Sequence, residues 1–434
     1  MSIGTRTIRR VQLRLLPFLF LLYVIAFLDR INIGFAALTM NAELGIGSEE
    51  FGFVAGIFFF GYFAFEVPSN LLLHRVGARV WIARILLVWG AVAVLTGFAK
   101  NAQQLSIARF VLGLAEAGYF PGIVLYLTYW FRQRERARAI ALFLVGLPVA
   151  SLVGGPISGL ILDHVRWLGL SSWRWLLILE GMPAVVCGVL TYFVLPDRPA
   201  DARFLGADEK AWLVAELERE ERETLAHRRF SVLETLSSRR VWHMAAIHFG
   251  LTIGLYTLSF WLPTVVKSLS AEYSNSAVGV LVTVPNLVGL IAMVLVSHSS
   301  DRRLERRWHA AVSLALGGVA LLLFATNPSP LYVLALLSLL AVGAYSYLGP
   351  FWAIPGEFLT GFSAAAGIAL INAVGNLGGL VGPLAIGAAR RATGDALGAL
   401  AIAGIPMLAS AVLALLLPKP AREPATDRAP RRAA

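Results

Sequence analysis

The sequence predicts an all-α membrane protein, with about twelve transmembrane helices in two pseudo-symmetric six-helix bundles. The 434-residue chain is 58% hydrophobic and only 15% charged, against about 25% charged in a soluble domain. Its apolar residues fall into runs of about twenty, the length needed to cross roughly 30 Å of hydrocarbon. Two pairs of short motifs also recur at one common offset, which points to a duplicated half.

The first span is expected near 14–38. Arg6, Arg9, Arg10 and Arg14 precede it and superficially resemble a secretory leader. The apolar stretch instead runs into Asp29-Arg30, and many further spans follow, so it reads as a transmembrane helix. The next spans are expected near 51–73, 80–99, 103–130, 137–162 and 174–196. Residues 197–241 form the longest charged segment. There Glu216, Glu218, Glu220, Glu221 and Glu223 nearly cancel Arg219, Arg222, Arg228 and Arg229. This reads as a short amphipathic helix on the membrane surface. It separates an N-terminal bundle, 1–196, from a C-terminal bundle with a short basic tail, 242–434. The later spans are expected near 242–267, 276–298, 308–326, 329–353, 363–389 and 396–417.

The formal net charge of +11 could suggest a nucleic-acid partner. Here the basic residues sit in short turns, so they report topology instead. One side collects the N-terminal arginines, Arg75 and Arg79, and Arg132, Arg134, Arg136 and Arg138. It also holds Arg302, Arg303, Arg306 and Arg307, and the tail residues Lys419, Arg422, Arg428, Arg431 and Arg432. The other side holds Glu43, Glu49, Glu50, Lys100, Asp163, Arg166 and Glu272. The arginine-rich side, with both termini, is therefore expected to be cytoplasmic. Arg390-Arg391 fall on the wrong side. The lone Cys187 lies in an apolar run, which excludes an internal disulfide and reads as packing.

The halves are related in sequence. The turn after the second span reads Asn70-Leu-Leu-Leu-His74-Arg75-Val-Gly77-Ala-Arg79, and that after the eighth reads Ser297-His-Ser-Ser-Asp301-Arg302-Arg-Leu-Glu-Arg306. Gly155-Pro156 in the fifth span matches Gly382-Pro383 in the eleventh. His74 to Asp301 and Pro156 to Pro383 share an offset of 227 residues. Such duplicated halves, related by an axis along the membrane normal, are one way that secondary transporters build alternating access.

Ionisable groups inside the spans mark candidate sites. Each costs about 2.5–3.5 kcal/mol at the bilayer centre, so it persists where a cavity and a partner compensate. Arg30 offers the planar, bidentate donors that match a carboxylate. Asp29 is expected to be its titratable partner, or the two form a structural ion pair. Arg109 and Glu116 are seven residues apart and share one face of the fourth span. Seven residues span about 10 Å, too far for direct contact, so each is expected to find a partner on another helix. A carboxyl group in apolar surroundings takes up a proton more readily than one in water, as a proton-coupled carboxylate must. Asn372 and Asn376, four apart, share a face of the eleventh span. Glu66 and His248 read as packing or interhelix bonding. The glycine run Gly375 to Gly382 lacks the context of a nucleotide loop. Neither a metal cluster nor a nucleophile–base pair stands out, so no enzyme activity is expected.

The two turn motifs resemble the G-x-x-x-D-R-x-G-R-R loop of the major facilitator superfamily, and the Gly-Pro runs resemble its fifth- and eleventh-helix motif. The first turn departs with Asn70 for glycine and His74 for the acid, and the second with Leu304 for glycine. A closer resemblance is to the anion:cation symporter family, especially the bacterial tartrate, phthalate and 4-hydroxyphenylacetate permeases. Leu28-Asp29-Arg30-Ile31-Asn32-Ile33-Gly34-Phe35-Ala36, Gly61-Tyr62, Glu66-Val67-Pro68-Ser69-Asn70, Arg109, Glu116-Ala117-Gly118 and Trp261-Leu262-Pro263 carry it. The resemblance implies that Arg30 binds the substrate anion, with Tyr62, Trp352 and Asn372 touching it and Asn376 a weaker candidate beside them. It assigns proton coupling to Asp29, Glu116 and Arg109. His74, Arg75, Arg79, Asp301 and Arg302 would form cytoplasmic latches. The implied function is proton-coupled uptake of a small organic carboxylate across the inner membrane by a monomer in the lipid bilayer. The proton is the coupling ion, and neither a cofactor nor a nucleic-acid partner is expected. A sodium-coupled or uncoupled carrier, or a transporter-like sensor, is the alternative. Phe27 and Leu147-Pro148 stand where sugar-acid members carry tyrosine and glutamine. That points to a less hydroxylated substrate, such as tartrate or an aromatic acid.

Overall fold

A computed structural model describes residues 2–226, 232–326, 329–355, 358–359, 361–395 and 397–418. Arg228, Arg229 and the basic residues of the tail lie outside the described residues, as do the side chains of His74, Arg134, Arg138, Glu221 and Glu223. The described chain is helical. Eleven stretches are long and apolar enough to cross a membrane, and the shorter apolar helix Arg307–Leu323 brings the set to twelve.

In the N-terminal half, α1 (Ile3–Leu44), α2 (Ser48–Val76) and α3 (Ala78–Thr96) are the first three spans. The fourth joins α4 (Ala102–Glu116) and α5 (Tyr119–Thr128), the fifth joins α6 (Gln133–Leu144) and α7 (Gly146–His164), and the sixth is α8 (Ser172–Val194). The linker carries α9 (Ala207–Ala226) and α10 (Val232–Leu236). The C-terminal half follows with α11 (Arg239–Ser268), α12 (Asn275–Arg303) and α13 (Arg307–Leu323). Its last three spans are α14 (Pro330–Ser346) with α15 (Leu348–Ala353), α16 (Gly361–Asn376) with α17 (Gly378–Thr393), and α18 (Gly404–Leu415) after a 3₁₀ turn.

Four spans expected to be continuous are broken. The fourth breaks directly after Glu116, where Gly118 takes φ 82°. Only glycine adopts that conformation without strain, and a Cβ there would also strike the Ser69 side chain. Such breaks are tolerated within a membrane only where protein or a cavity satisfies the freed backbone.

At 42 residues, α1 is about 63 Å long, twice the hydrocarbon thickness. Its N-terminal turns therefore project beyond the membrane. The linker helix docks there: Glu209 accepts hydrogen bonds from Arg6 Nε at 3.0 Å and Arg10 Nη1 at 2.7 Å. Further along α9, Glu216 accepts from Arg132 at 3.3 Å, and the Trp212 ring lies 4.9 Å beneath that guanidinium. Burial opposes charge on Glu209, but the Gly206 N–H, Arg10 and Arg6 outweigh it and hold the carboxyl below its ordinary range. The amphipathic linker expected at the surface is thus fastened to the N-terminal half.

The closest backbone approaches between the halves lie at the end away from the arginine-rich turns. Gly155 of α7 and Gly279 of α12 face each other so closely that a Cβ on either would strike the other's carbonyl. Small residues let membrane helices approach in this way. Beside them, Asp163 ends α7 and accepts four hydrogen bonds from the start of α12. These come from Asn275 N (3.2 Å), Asn275 Nδ2 (2.8 Å), Ser276 N (2.7 Å) and Ser276 Oγ (2.6 Å). At the same end Arg391 pairs with Glu49, and the Arg390 guanidinium lies 4.4 Å from the Trp261 ring centre. The two arginines that violate the charge asymmetry therefore have structural partners.

Candidate functional site

A cavity sits where α1, α2, α5, α11, α15 and α16 converge, about midway along the spans. Its free space is about 50 Å³ counted at water centres, room for only a few waters. Arg30, Tyr62, Trp352, Asn372 and Asn376, chosen from sequence as substrate contacts, all line it, and so does Glu116. Phe27 and Leu147 also lie on the wall.

Arg30 is 8% exposed and forms an ion pair with Glu116 of α4. Its Nη1 donates to the Tyr256 hydroxyl of α11 at 3.1 Å, so one guanidinium bridges the two halves. The rings of Phe27, Phe58 and Tyr62 lie 5.0, 5.3 and 5.5 Å from its Cζ, within cation–π range. Arg30 Nε finds no partner among the described residues.

The expected Asp29–Arg30 partnership is not formed. Adjacent helical residues point about 100° apart, since only i,i+3 and i,i+4 pairs are neighbours. Asp29 turns away from the cavity and accepts from Asn32 Nδ2 at 3.1 Å and from the Trp89 indole N–H. Arg109 also lies off the cavity. It is fully buried, with its Cζ 5.0 Å from the Phe58 ring, and its Nε and Nη2 have no hydrogen-bond partner among the described residues. Glu116 did find its partner on another helix, as the spacing required; Arg109 found an aromatic face.

The sequence assigns Glu66 and His248 to packing or interhelix bonding. Glu66 accepts from Asn372 Nδ2 at 2.7 Å, another direct bond between the halves. His248 lines the cavity and stacks on Phe351, with ring centres 5.4 Å apart and its Nδ1 without a partner among the described residues. Sequence reasoning missed the wall formed by His248, Thr252 and Tyr256. Their spacing of four is a polar stripe on one face of an otherwise apolar span, a signal that could have revealed them.

The residues expected to form latches have the following partners. Arg79 donates its backbone N–H to Asp197, at the end of the sixth span, at 2.8 Å, and its guanidinium forms an ion pair with the same carboxylate at 3.4 Å. Asp301 pairs with Arg306, not with Arg302. Arg75 and Arg302 are exposed, with no ion pair among the described residues. The His74 side chain lies outside the described residues.

Twelve spans in two halves around a buried, charged cavity define a membrane carrier. The family model of the Major Facilitator Superfamily matches residues 19–383 and 272–433, and the chain belongs to that superfamily. It is similar to an Agrobacterium vitis protein provisionally named a tartrate transporter, 44% identical over 96% of this chain and 92% of the relative. It is 40% identical to a quinolone resistance transporter of Acinetobacter baumannii, over 94% of both chains. Among solved structures, the xylose transporter XylE from E. coli, in a partially occluded inward open conformation, shares the fold. The TM-score is 0.73 at 15% identity, covering 94% of this chain and 97% of that one. The chain is thus a multi-pass membrane transporter and not an enzyme, as its family and named relatives indicate.

Proposed function

We propose that this protein is a proton-coupled symporter that takes up a small organic carboxylate by alternating access. The observation that carries the reading is the buried Arg30–Glu116 pair on the cavity wall. Arg30 is the one cation lining the cavity among the described residues, and an ionised Glu116 already occupies it. Stripping one partner from a buried ion pair costs about 3–5 kcal/mol. An incoming carboxylate therefore cannot simply displace Glu116. A proton on Glu116 removes that cost and frees the guanidinium, so proton and substrate favour each other's binding. Asp29, held by Trp89 and Asn32, is proposed as a further proton site, with Arg109 in the same field.

Tyr62, Trp352, Asn372 and Asn376 are assigned to the rest of the substrate. Relatives are associated by name with cargoes as unlike as tartrate and quinolones, so the cargo is best read from the wall. Tyr23, Phe27, Phe120 and Trp352 make that wall aromatic, and Leu147 adds no hydrogen-bond partner. This supports a compact or flat carboxylate with few hydroxyls. The bundles 1–196 and 242–434 rock about the cavity as a monomer in the inner membrane. The arginine-rich end, with both termini, faces the cytoplasm, which makes the packed end the outer one.

The test reconstitutes the protein in liposomes and follows a pH-sensitive dye while small carboxylates are added. Inward proton flux with one acid, lost in Arg30→Ala, supports symport and names the substrate. Glu116→Gln should abolish proton-driven accumulation while retaining exchange. Accumulation at the wild-type level in that variant overturns the assignment. Uptake indifferent to the pH gradient indicates a sodium-coupled or uncoupled carrier, and binding without flux indicates a sensor.

A further inference from the structure

We propose that Glu66 is a further proton-binding site, tied to the substrate through Asn372. The inference rests on the symport reading above. Glu66 lies on α2 one turn from Tyr62 and is 0% exposed. Its Oε1 takes a hydrogen bond from Asn372 Nδ2, and its Oε2 has no partner among the described residues. It does not line the cavity, but Asn372 does. The amide therefore stands between the buried acid and the substrate space, one face toward each.

Charge counting singles this acid out. Buried charges persist when paired. Arg30 of α1 is the cation within electrostatic range of Glu66, and it is committed to Glu116. Tyr62 on the same helix and Tyr256 on α11 are the other titratable groups that interact with it. From α4, Arg109 and Glu116 engage Arg30 and Asp29. From α16, Asn372 offers only a neutral donor. Glu66 is thus a carboxyl group with one amide bond, a bare oxygen and no cation of its own. Protonation forms one O–H bond at Oε2 and breaks one O–H bond of a hydronium ion, which is left as water.

The coupling follows from the shared amide. A charged acceptor holds a donor roughly twice as strongly as a neutral one. An ionised Glu66 keeps the Asn372 amide for itself and away from the cavity. A protonated Glu66 slackens that hold, and the amide can turn its donor to the substrate. By linkage, substrate at Asn372 then favours the proton on Glu66 to the same extent. Because the same bond joins α2 to α16, loading also loosens a contact between the halves.

The first arm of the test needs no substrate. Infrared difference spectra of the purified full chain at acid and alkaline pH report the carbonyl band of protonated carboxyl groups. Glu66→Gln should lose one component of that band and Glu116→Gln a different one. An E66Q spectrum superimposable on wild type overturns the proposal.

The second arm measures tartrate and phthalate affinity against pH. Gln mimics the neutral acid, so E66Q should bind at alkaline pH about 5- to 150-fold more tightly than wild type. Asn372→Ala should keep the infrared component while E66Q on that background no longer changes the pH profile. An additional effect of E66Q in the Asn372→Ala protein overturns the route through the amide. Should the band be lost in E66Q while wild-type transport moves no protons, the symport reading fails and the proton site stands.

Discussion

Replacing Asp163 by alanine should destabilise the packed end and shift the carrier toward opening there. Asp163 closes α7 and holds the first turn of α12 by four hydrogen bonds of 2.6–3.2 Å, two from backbone N–H groups and two from side chains. Its negative charge also sits at a helix N-terminus, where the macrodipole adds about 0.3–1 kcal/mol. A hydrogen bond to a charged group contributes about 1.5–3 kcal/mol net. Asp163 is partly exposed, so water replaces some of these bonds when the halves part and the charge is screened. Counting one such bond in full with the dipole term gives about 2–4 kcal/mol, or roughly 30- to 700-fold in the equilibrium between closed and open ends. Asn at this position should fall between, since it keeps an acceptor but loses the charge. The assay places a single cysteine at Val278 or Val282, buried positions of α12 just past the turn that Asp163 holds. It compares the rate of its modification by a membrane-impermeant maleimide. Modification should accelerate in Asp163→Ala and less in Asp163→Asn. Equal rates in all three proteins, with transport unchanged, would refute the idea that these bonds hold the end shut.

Arg30→Lys should keep a positive charge but lose the fork that serves Glu116 and Tyr256 together. Its KM for the transported acid should rise about 10- to 150-fold, and an unchanged KM in liposome uptake removes Arg30 from substrate recognition. Gly155→Val places a side chain against the Gly279 carbonyl. Overpacking of about 1–3 kcal/mol should lower the melting temperature and slow turnover, whereas full transport would mean that this approach is not part of the cycle. Glu209 is held below its ordinary range by its partners, so its contribution to linker docking is present above the unfolded value of about 4.3. That contribution is lost only as pH falls through the lower folded value. Limited proteolysis of the linker should stay slow at neutral pH and accelerate below about pH 4; rapid cleavage at neutral pH would show that α9 is not docked.

The spans and their duplication were legible because lipid imposes them: twenty apolar residues per crossing, basic turns on one side, and glycine where the halves approach. The breaks were less legible, since the hydropathy of the fourth span runs through Ala117-Gly118 without interruption. The φ of Gly118 and the contact with Ser69 that demands it belong to packing against α2. The cavity was partly legible for a similar reason. A charge inside a span announces itself, so Arg30, Glu116 and the paired asparagines could be picked out one helix at a time. What one helix cannot reveal is who answers the charge.

Asp29 and Arg30 invited pairing because they are neighbours in sequence, yet helical geometry alone argues against it. Arg30 met instead an acid 86 residues away. Glu66 reads from sequence as packing or interhelix bonding, and its partner lies 306 residues away in the other half. Glu66, which looked ordinary, and Asn372, picked out as a substrate contact, are thus the pair that no pattern within either half could join. They sit where a carrier needs its coupling to be: on the boundary that opens and closes, with one member on the cavity wall and the other sealed from it.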